Sequence, residues 1–287
     1  MRYPFIERHE SVWPVIRMCD VLDVSTQGYY AWRGREPSQL ALLNAALDEA
    51  IARIYWQHKG RYGAPRIWEE LQAQGMCCSE NRVARRMQVM GLKAIQAKKF
   101  KVTTDSEHAK PVAPDLVQQD FTASGPNEKW VSDITYVWTG DGWLYLAVVM
   151  DLYSRAIIGW SLQSRMTQQL VCDALTMAMF RRGFPKEVIV HSDRGSQYCS
   201  KRYQKLLQHN KLLCSMGRTG CCYDNAAMES FFHSLKVELI HRESYTTRYR
   251  ARQSIFEYIE VYYNRQRRHS AIGYQIPMVF DDKQKRA

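Results

Sequence analysis

An α/β fold, helical through its first third and sheet-based beyond, is what this 287-residue sequence predicts. Two observations carry the prediction. Up to about residue 95, apolar side chains recur at three- and four-residue intervals, the period of an amphipathic helix. From about residue 128 the pattern changes to short apolar or alternating runs bounded by turn residues, and the later runs alternate with helical stretches. An apolar content of 46% with 12% aromatics supplies an ordinary globular core, which excludes a disordered chain.

Residues 11–35 predict two short helices. SVWPVIRMCDVLDV spaces Val12, Val15, Ile16, Val21 and Leu22 near helical intervals, and STQGYYAWRGR restarts behind Ser25, a candidate N-cap. A further helix over about 38–57 carries Leu40, Leu43, Leu47, Ile51 and Ile54 on one stripe, a pattern of core or of a partner-helix seam. Pro65 then opens a helix that Gly75 closes, and Ser79 caps another that Gly91 stops. Two helices joined by a short glycine-containing turn form a helix-turn-helix candidate over about 61–93. Its second helix displays Asn81, Arg82, Arg85 and Arg86 while Val83, Met87 and Met90 can face inward, the polarity of a helix laid against DNA. The same pattern also describes a helical hairpin with a solvated basic face.

Periodicity fades between Lys98 and Asn127, where Pro111, Pro114 and Pro126 punctuate a polar, linker-like run. Beyond it, WVSDITYVW, WLYLAVVMDL and RAIIGWSL read as three antiparallel strands, joined at residues 139–142 and near Tyr153–Ser154. A helix over about 167–181, the strand EVIVHSD, a helix over about 200–209 and the short run LLCSM complete a mixed sheet of the ribonuclease H kind.

Net charge is +11, and residues 51–101 alone hold eleven Lys and Arg against three Asp and Glu. Such clustering points to a polyanion partner. The longest apolar run, WLYLAVVM, is far shorter than the ~20 residues a bilayer demands, so neither a membrane span nor a signal peptide is expected and the cytoplasm is the expected compartment. Eight cysteines include no C-x-x-C pair, which argues against structural zinc and for reduced, packed thiols.

Three acidic residues stand out by context. Asp133 falls inside the first predicted strand, Asp193 ends the fourth, and Glu229 sits on an amphipathic helix beginning near Asp224–Asn225, whose Met228, Phe232, Leu235 and Leu239 can seek the core. If the two strands are neighbours, their carboxylates repel one another unless a cation intervenes. Oxygen ligands without cysteine or a histidine pair suit magnesium or manganese, and two such ions can activate a nucleophile and a leaving oxygen at a phosphodiester. His233 and Lys236 share the helix face of Glu229, which places Lys236 to contact a DNA phosphate. Asp141, Asp151 and Asp173 occupy turn, strand-end and helix positions where structural roles are expected, and Asp224 is a candidate cap. His191 and Ser192 are candidate hydrogen-bonding neighbours of Asp193, and no G-x-S-x-G elbow supports a serine hydrolase. At the C-terminal end, Arg265, Arg267 and Arg268 in YNRQRRHS cluster beside aromatics and suit phosphate contact.

WVSDITYV, GWLYLAVVMDLYSRAIIGWS, VIVHSDRGSQYCS, GCCYDNAAMESFFHSLKVE, YNRQRRHSAIGY, the opening MRYPFIERHE and the segment CDVLDVSTQGYYAWR resemble one family along nearly the whole chain. That family is the second-frame catalytic protein of bacterial insertion sequences with two overlapping reading frames, within the retroviral-integrase-like DDE superfamily. The resemblance implies a helical DNA-binding region over 1–100, a linker over 101–127, and an integrase-like catalytic core with C-terminal helices over 128–287. It implies a transposase with Asp133, Asp193 and Glu229 as metal-binding triad, 35 residues separating the last two, and Lys236 as the basic residue seven positions on. Also implied are cleavage at element ends, joining of the 3′-OH to target DNA through a circular intermediate, and a first-frame product fused by frameshift ahead of this chain. Homo-oligomers on DNA and association with the nucleoid are expected with it. A ribonuclease H-fold nuclease or resolvase that cuts without joining, and a DNA-binding regulator with an inert core, are the competing expectations.

Overall fold

The computed structural model describes residues 2–95, 113–217 and 226–285. The chain opens with α1 (Arg2–His9), α2 (Val15–Val21) and α3 (Thr26–Arg33), which close a small core of Ile6, Met18, Cys19 and Tyr29. Serine caps act where the sequence places them: Ser25 accepts from the Gly28 amide at 2.9 Å, Ser38 from that of Ala41 at 3.2 Å, and Ser79 from that of Arg82 at 3.3 Å. No local pattern predicts α1. Its Tyr3 packs on Tyr29 and Trp32, with ring centroids 6.2 and 5.7 Å away, so a tertiary contact holds it.

The long helix α4 (Gln39–Gln57) packs against α5 (Ala64–Ala73) and α6 (Glu80–Val89), the helix-turn-helix pair. Its apolar stripe divides: Leu47, Ile51 and Ile54 are buried, whereas Leu40 and Leu43 are more than half exposed. Gly75 (φ +77°) and Gly91 (φ +69°) close α5 and α6 in the left-handed region that glycine enters without a Cβ clash.

A five-stranded sheet in the order β3-β2-β1-β4-β5 forms the rest of the frame. Its strands are β1 (Lys129–Thr139), β2 (Gly142–Asp151), β3 (Ile157–Gln163), β4 (Ile189–Ser192) and β5 (Leu213–Met216). The first three form an antiparallel meander, and β4 and β5 add in parallel through α7 (Gln168–Arg182) and α8 (Lys201–His209). Alternation along β1 sends Trp130 to one core and Val131 and Val137 to the other. On the Trp130 side lie α7 and α8; Gly159 allows close approach there, since a Cβ would stand 2.2 Å from the Ala174 carbonyl oxygen. On the other side lie α9 (Ala226–Glu238), α10 (Arg248–Phe256) and the π-helical continuation Glu257–Tyr263, followed by α11 (Pro277–Lys285).

Helices α4 to α6 share that second core. Ile51, Ile67, Leu71 and Val83 belong to one buried cluster with Val131, Leu146, Phe231 and Tyr262. Polar links reinforce the junction: the Tyr62 hydroxyl donates to the Gln266 carbonyl and accepts from the Arg268 amide at 2.8 Å, and Arg61 stacks 4.3 Å from the Tyr262 ring. Residues 113–127 carry neither helix nor strand, yet they are tied to the sheet through the Leu116 amide to Ser215 and Lys129 to Asp120.

At the centre of the junction, Arg267 donates to both carboxylate oxygens of Glu238 at 2.6–3.1 Å, and the Tyr258 hydroxyl donates to the same carboxylate at 2.9 Å. Both charged side chains are buried. Arg267→Ala strands the Glu238 charge and should lower unfolding free energy by about 3–5 kcal/mol, read from the urea midpoint. The double change Glu238→Leu with Arg267→Met should recover most of that loss.

Candidate active site

The site begins with strand register. Parallel pairing of β1 with β4 matches Lys129 to Ile189 and continues to Ser132 opposite Ser192, so the next residues, Asp133 and Asp193, emerge level from adjacent strands. Pairing with β4 stops there, and among the described residues β1 runs on beyond Asp133 without a strand partner on that side. The Asp133 carboxylate accepts from the Ile134 amide at 2.7 Å, and that of Asp193 accepts from the Gly195 amide at 2.9 Å. A Cβ on Gly195 would stand 2.9 Å from the same Asp193 oxygen, so only glycine leaves that carboxylate its place.

Helix α9 brings the third acid. Met228, Phe231, Phe232 and Leu235 bury one face against the core that β1 contributes to, and Glu229 occupies the first turn, exposed. Lys236 follows two turns later, half-buried, with Nζ 5.6 Å from the Tyr136 ring centroid.

Electrostatics tie the groups into one site. Burial, and next the charge of Asp193, push the Asp133 carboxyl up to about 8, with Glu229 acting in the same direction. Partial desolvation at the foot of α9 also raises the Glu229 carboxyl, although its side chain reaches solvent. Lys236 is lowered by burial, against the opposing pull of Tyr136 and Asp133. The three carboxylates therefore share a field, but among the described residues no three His, Cys, Asp or Glu side chains close into a ready metal cage. Helix α9 follows directly on residues 218–225, which lie outside the described residues and include the Asp224 cap candidate, Cys221 and Cys222.

One residue escaped the sequence reading. Tyr198 is buried beneath the pair, its hydroxyl 3.0 Å from Ser132 Oγ, and burial followed by the charge of Asp133 raises its phenol well above the ordinary value. Only the turn after β4 brings it back beneath β1; no local signal marks it. The remaining acids have structural partners: Asp141 accepts from the Arg248 amide at 2.8 Å, Asp151 pairs with Arg182 at 3.2 Å, and Asp173 accepts from Gln163 at 2.9 Å. His191 Nδ1 meets Ser215 Oγ at 2.9 Å, and Ser192 donates to the Asp193 carbonyl at 3.0 Å.

The arginines expected at DNA separate into two groups. Arg85 and Arg265 are exposed. Arg86 forms a two-pronged ion pair with Asp48 of α4 at 2.5–2.7 Å, Arg82 donates to Asn44 at 2.9 Å, and Arg268 pairs with Glu70 of α5 at 2.7 Å. Arg267 requires correction as a phosphate contact. Its guanidinium is buried against Glu238, where its charge is neutralised and a DNA backbone has no access.

Sequence comparisons agree with this architecture. An integrase core domain matches residues 123–222, a second integrase core domain matches 229–284, and an HTH-like domain matches 43–100. The transposase InsF of insertion sequence IS3A from Escherichia coli (strain K12) is 49% identical over 99% of both chains. This chain belongs to the IS3 insertion-sequence transposases. It is accordingly a transposase built on an integrase core of ribonuclease H-like fold, with a helix-turn-helix-like region ahead of it. A protein of insertion element IS600 from Shigella sonnei, described as an uncharacterized 31 kDa protein, is 42% identical over 93% of this chain and 98% of its own. Among solved structures, the simian T-cell lymphotropic virus intasome aligns with 74% of this chain and 73% of its own at 13% identity and a TM-score of 0.47. The HTLV-2 integrase catalytic core domain, solved with magnesium, aligns with 55% of this chain and 98% of its own at 16% identity and a TM-score of 0.41. No described helix is long and apolar enough to cross a membrane.

The raised Asp133 carboxyl sets a stability test. Below the ordinary carboxylate range near 4 the group is protonated in both folded and unfolded chains; as pH rises from there through about 8, only the folded chain retains the proton, and stability drains away. Without divalent metal, Asp133→Asn should therefore melt above the parent by a margin that widens from pH 5 to 8 and then levels. A constant margin across that range would remove the electrostatic account of the site.

Proposed function

We propose that Asp133, Asp193 and Glu229 are the catalytic triad of this transposase, cleaving a strand at the insertion-sequence end and joining its 3′-OH to a target phosphodiester. The observation carrying this reading is the parallel register that levels Asp133 with Asp193, under a helix whose first turn holds Glu229.

The donor set fits hard divalent cations. All three groups offer carboxylate oxygens; burial first and the charge of Asp193 second raise the Asp133 carboxyl, and a cation would offset both. Two magnesium or manganese ions held by the triad would supply activation of the attacking oxygen and stabilisation of the leaving one. The protein's own groups prepare the site: the Gly195 amide holds Asp193, the Ile134 amide holds Asp133, and buried α9 residues anchor the Glu229 helix. Lys236, beside Asp133, is positioned to meet a phosphate of the bound strand.

DNA, both element ends and target, is the proposed partner, met by the basic 51–101 region, Lys236, Arg85 and Arg265. Arg82, Arg86 and Arg268 act first on the helical module, so their substitution would weaken binding through structure. We further propose that the chain works as a homo-oligomer on DNA, fused behind the first-frame product, in the cytoplasm at the nucleoid.

Joining assays with labelled element ends test the reading. Each of Asp133→Asn, Asp193→Asn and Glu229→Gln should lower joining by more than about a hundredfold, because even outer-shell partners of a metal cost 10–100-fold, while DNA affinity persists. Added Mg²⁺ should raise the melting temperature of the parent more at pH 8 than at pH 6, since protons and metal compete for the carboxylates. Cut but unjoined ends would favour the nuclease reading, and full activity in all three variants would favour a regulator with an inert core.

A further inference from the structure

Beyond Asp133, β1 runs on into a hairpin that carries an unusual surface. Trp138 is 61% exposed, Tyr136 45% and Trp143 42%, and the three rings touch edge to face: Trp143 lies 5.0 Å from Tyr136 and 4.8 Å from Trp138. Isolated exposed aromatics are ordinary on a protein surface, but a contiguous group of three marks an interaction site.

The hairpin presenting these rings is pinned from behind. The Gly140 amide donates to the Tyr245 carbonyl at 2.9 Å, the Arg248 amide to Asp141 at 2.8 Å, and the Arg248 guanidinium to the Trp143 carbonyl at 3.1 Å. At Gly140 the approach is so close that a Cβ would stand 2.3 Å from the Thr246 carbonyl oxygen. A braced hairpin holds its rings in place before any partner arrives, which lowers the ordering cost of binding.

Position and charge name the partner. By the pleat of β1, Tyr136 and Trp138 lie on the face of Trp130, opposite that of Asp133, about 10 and 17 Å further along the strand. Lys236 bridges the interval, its Nζ 5.6 Å from the Tyr136 ring and within the field of Asp133. A DNA strand with a phosphate at Lys236 meets β1 where it has run past its ladder with β4, and an end leaving the carboxylates can pass over that edge onto these rings. Bases in an intact duplex keep their faces against one another, so a ring can stack only on a base that has left its pair.

We propose that Trp138, supported by Trp143 and Tyr136, stacks on an unpaired nucleobase of the DNA strand held at the active site, and so positions a locally opened end for cleavage or joining. This rests on the reading that the Asp133 site acts on DNA. The rings are positioning residues, and the acids carry the chemistry.

The test uses the full chain without divalent metal, so that no catalysis enters, and two fluorescent probes: one blunt duplex, and the same duplex with a short unpaired 3′ tail. Trp138→Ala should weaken binding of the tailed duplex by about tenfold, as base–aromatic stacking predicts, with the blunt duplex changed by less than about twofold. Trp138→Phe should restore most of the loss, and circular dichroism should be unchanged because the ring is exposed. A 2-aminopurine in the tail should be quenched by the parent and not by Trp138→Ala. Equal loss on both probes, or no loss on the tailed one, would overturn the proposal. So would a smaller sedimentation coefficient for Trp138→Ala with unaltered DNA binding, which would make the patch a contact between copies of the chain. Because the affinity comparison needs no reaction, active triad variants would sink the catalytic assignment without touching this result.

Discussion

Glu238 is the residue on which the arrangement turns. Its carboxylate receives Arg267 and Tyr258, its backbone carbonyl receives the Arg61 guanidinium at 3.2 Å, and it ends the helix whose first turn carries Glu229. One buried charge thus connects the helix-turn-helix pair, the π-helical segment, the C-terminal loop and the third acid of the site. The cost of desolvating two ions is offset only while their hydrogen bonds remain complete, which makes this network intolerant of partial loss. The orientation of α9, and with it the reach of Glu229, depends on a contact 9 positions further along the chain.

That network also explains why helices α4 to α6 behave as part of the core. A helix-turn-helix joined by a free connector could swing; here its apolar face is absorbed into the cluster beneath the sheet, and Tyr62, Arg61 and Glu70 fasten it to residues 258–268. Basic residues distributed over this junction serve two masters. Those facing acids in α4, α5 and α9 are neutralised and structural, and those facing solvent keep their charge available to a polyanion.

Much of the fold was legible in one dimension because its signals are local. Serine caps, glycine stops and the change from a period of 3.6 to a period of 2 are set by backbone geometry, so every strand and the helices α2 to α9 lie near where the pattern puts them. The exceptions are equally instructive. Helix α1 exists through aromatic contacts with α3, Leu40 and Leu43 share the stripe of α4 yet stay uncovered because α5 and α6 reach only its later turns, and Tyr198 enters the site through a turn with no sequence mark.

By itself the sequence determined the acids, their strand and helix settings, and the family, since a residue's type and local period survive without knowledge of its neighbours in space. Tertiary structure alone decided that β1 and β4 pair in parallel so that Asp133 stands beside Asp193, and that Arg267 turns inward to Glu238 while Arg85 and Arg265 stay outside. The physical reason is range. Hydrogen bonding along the backbone acts over a few residues, whereas burial and ion pairing act between groups that only the folded chain makes adjacent.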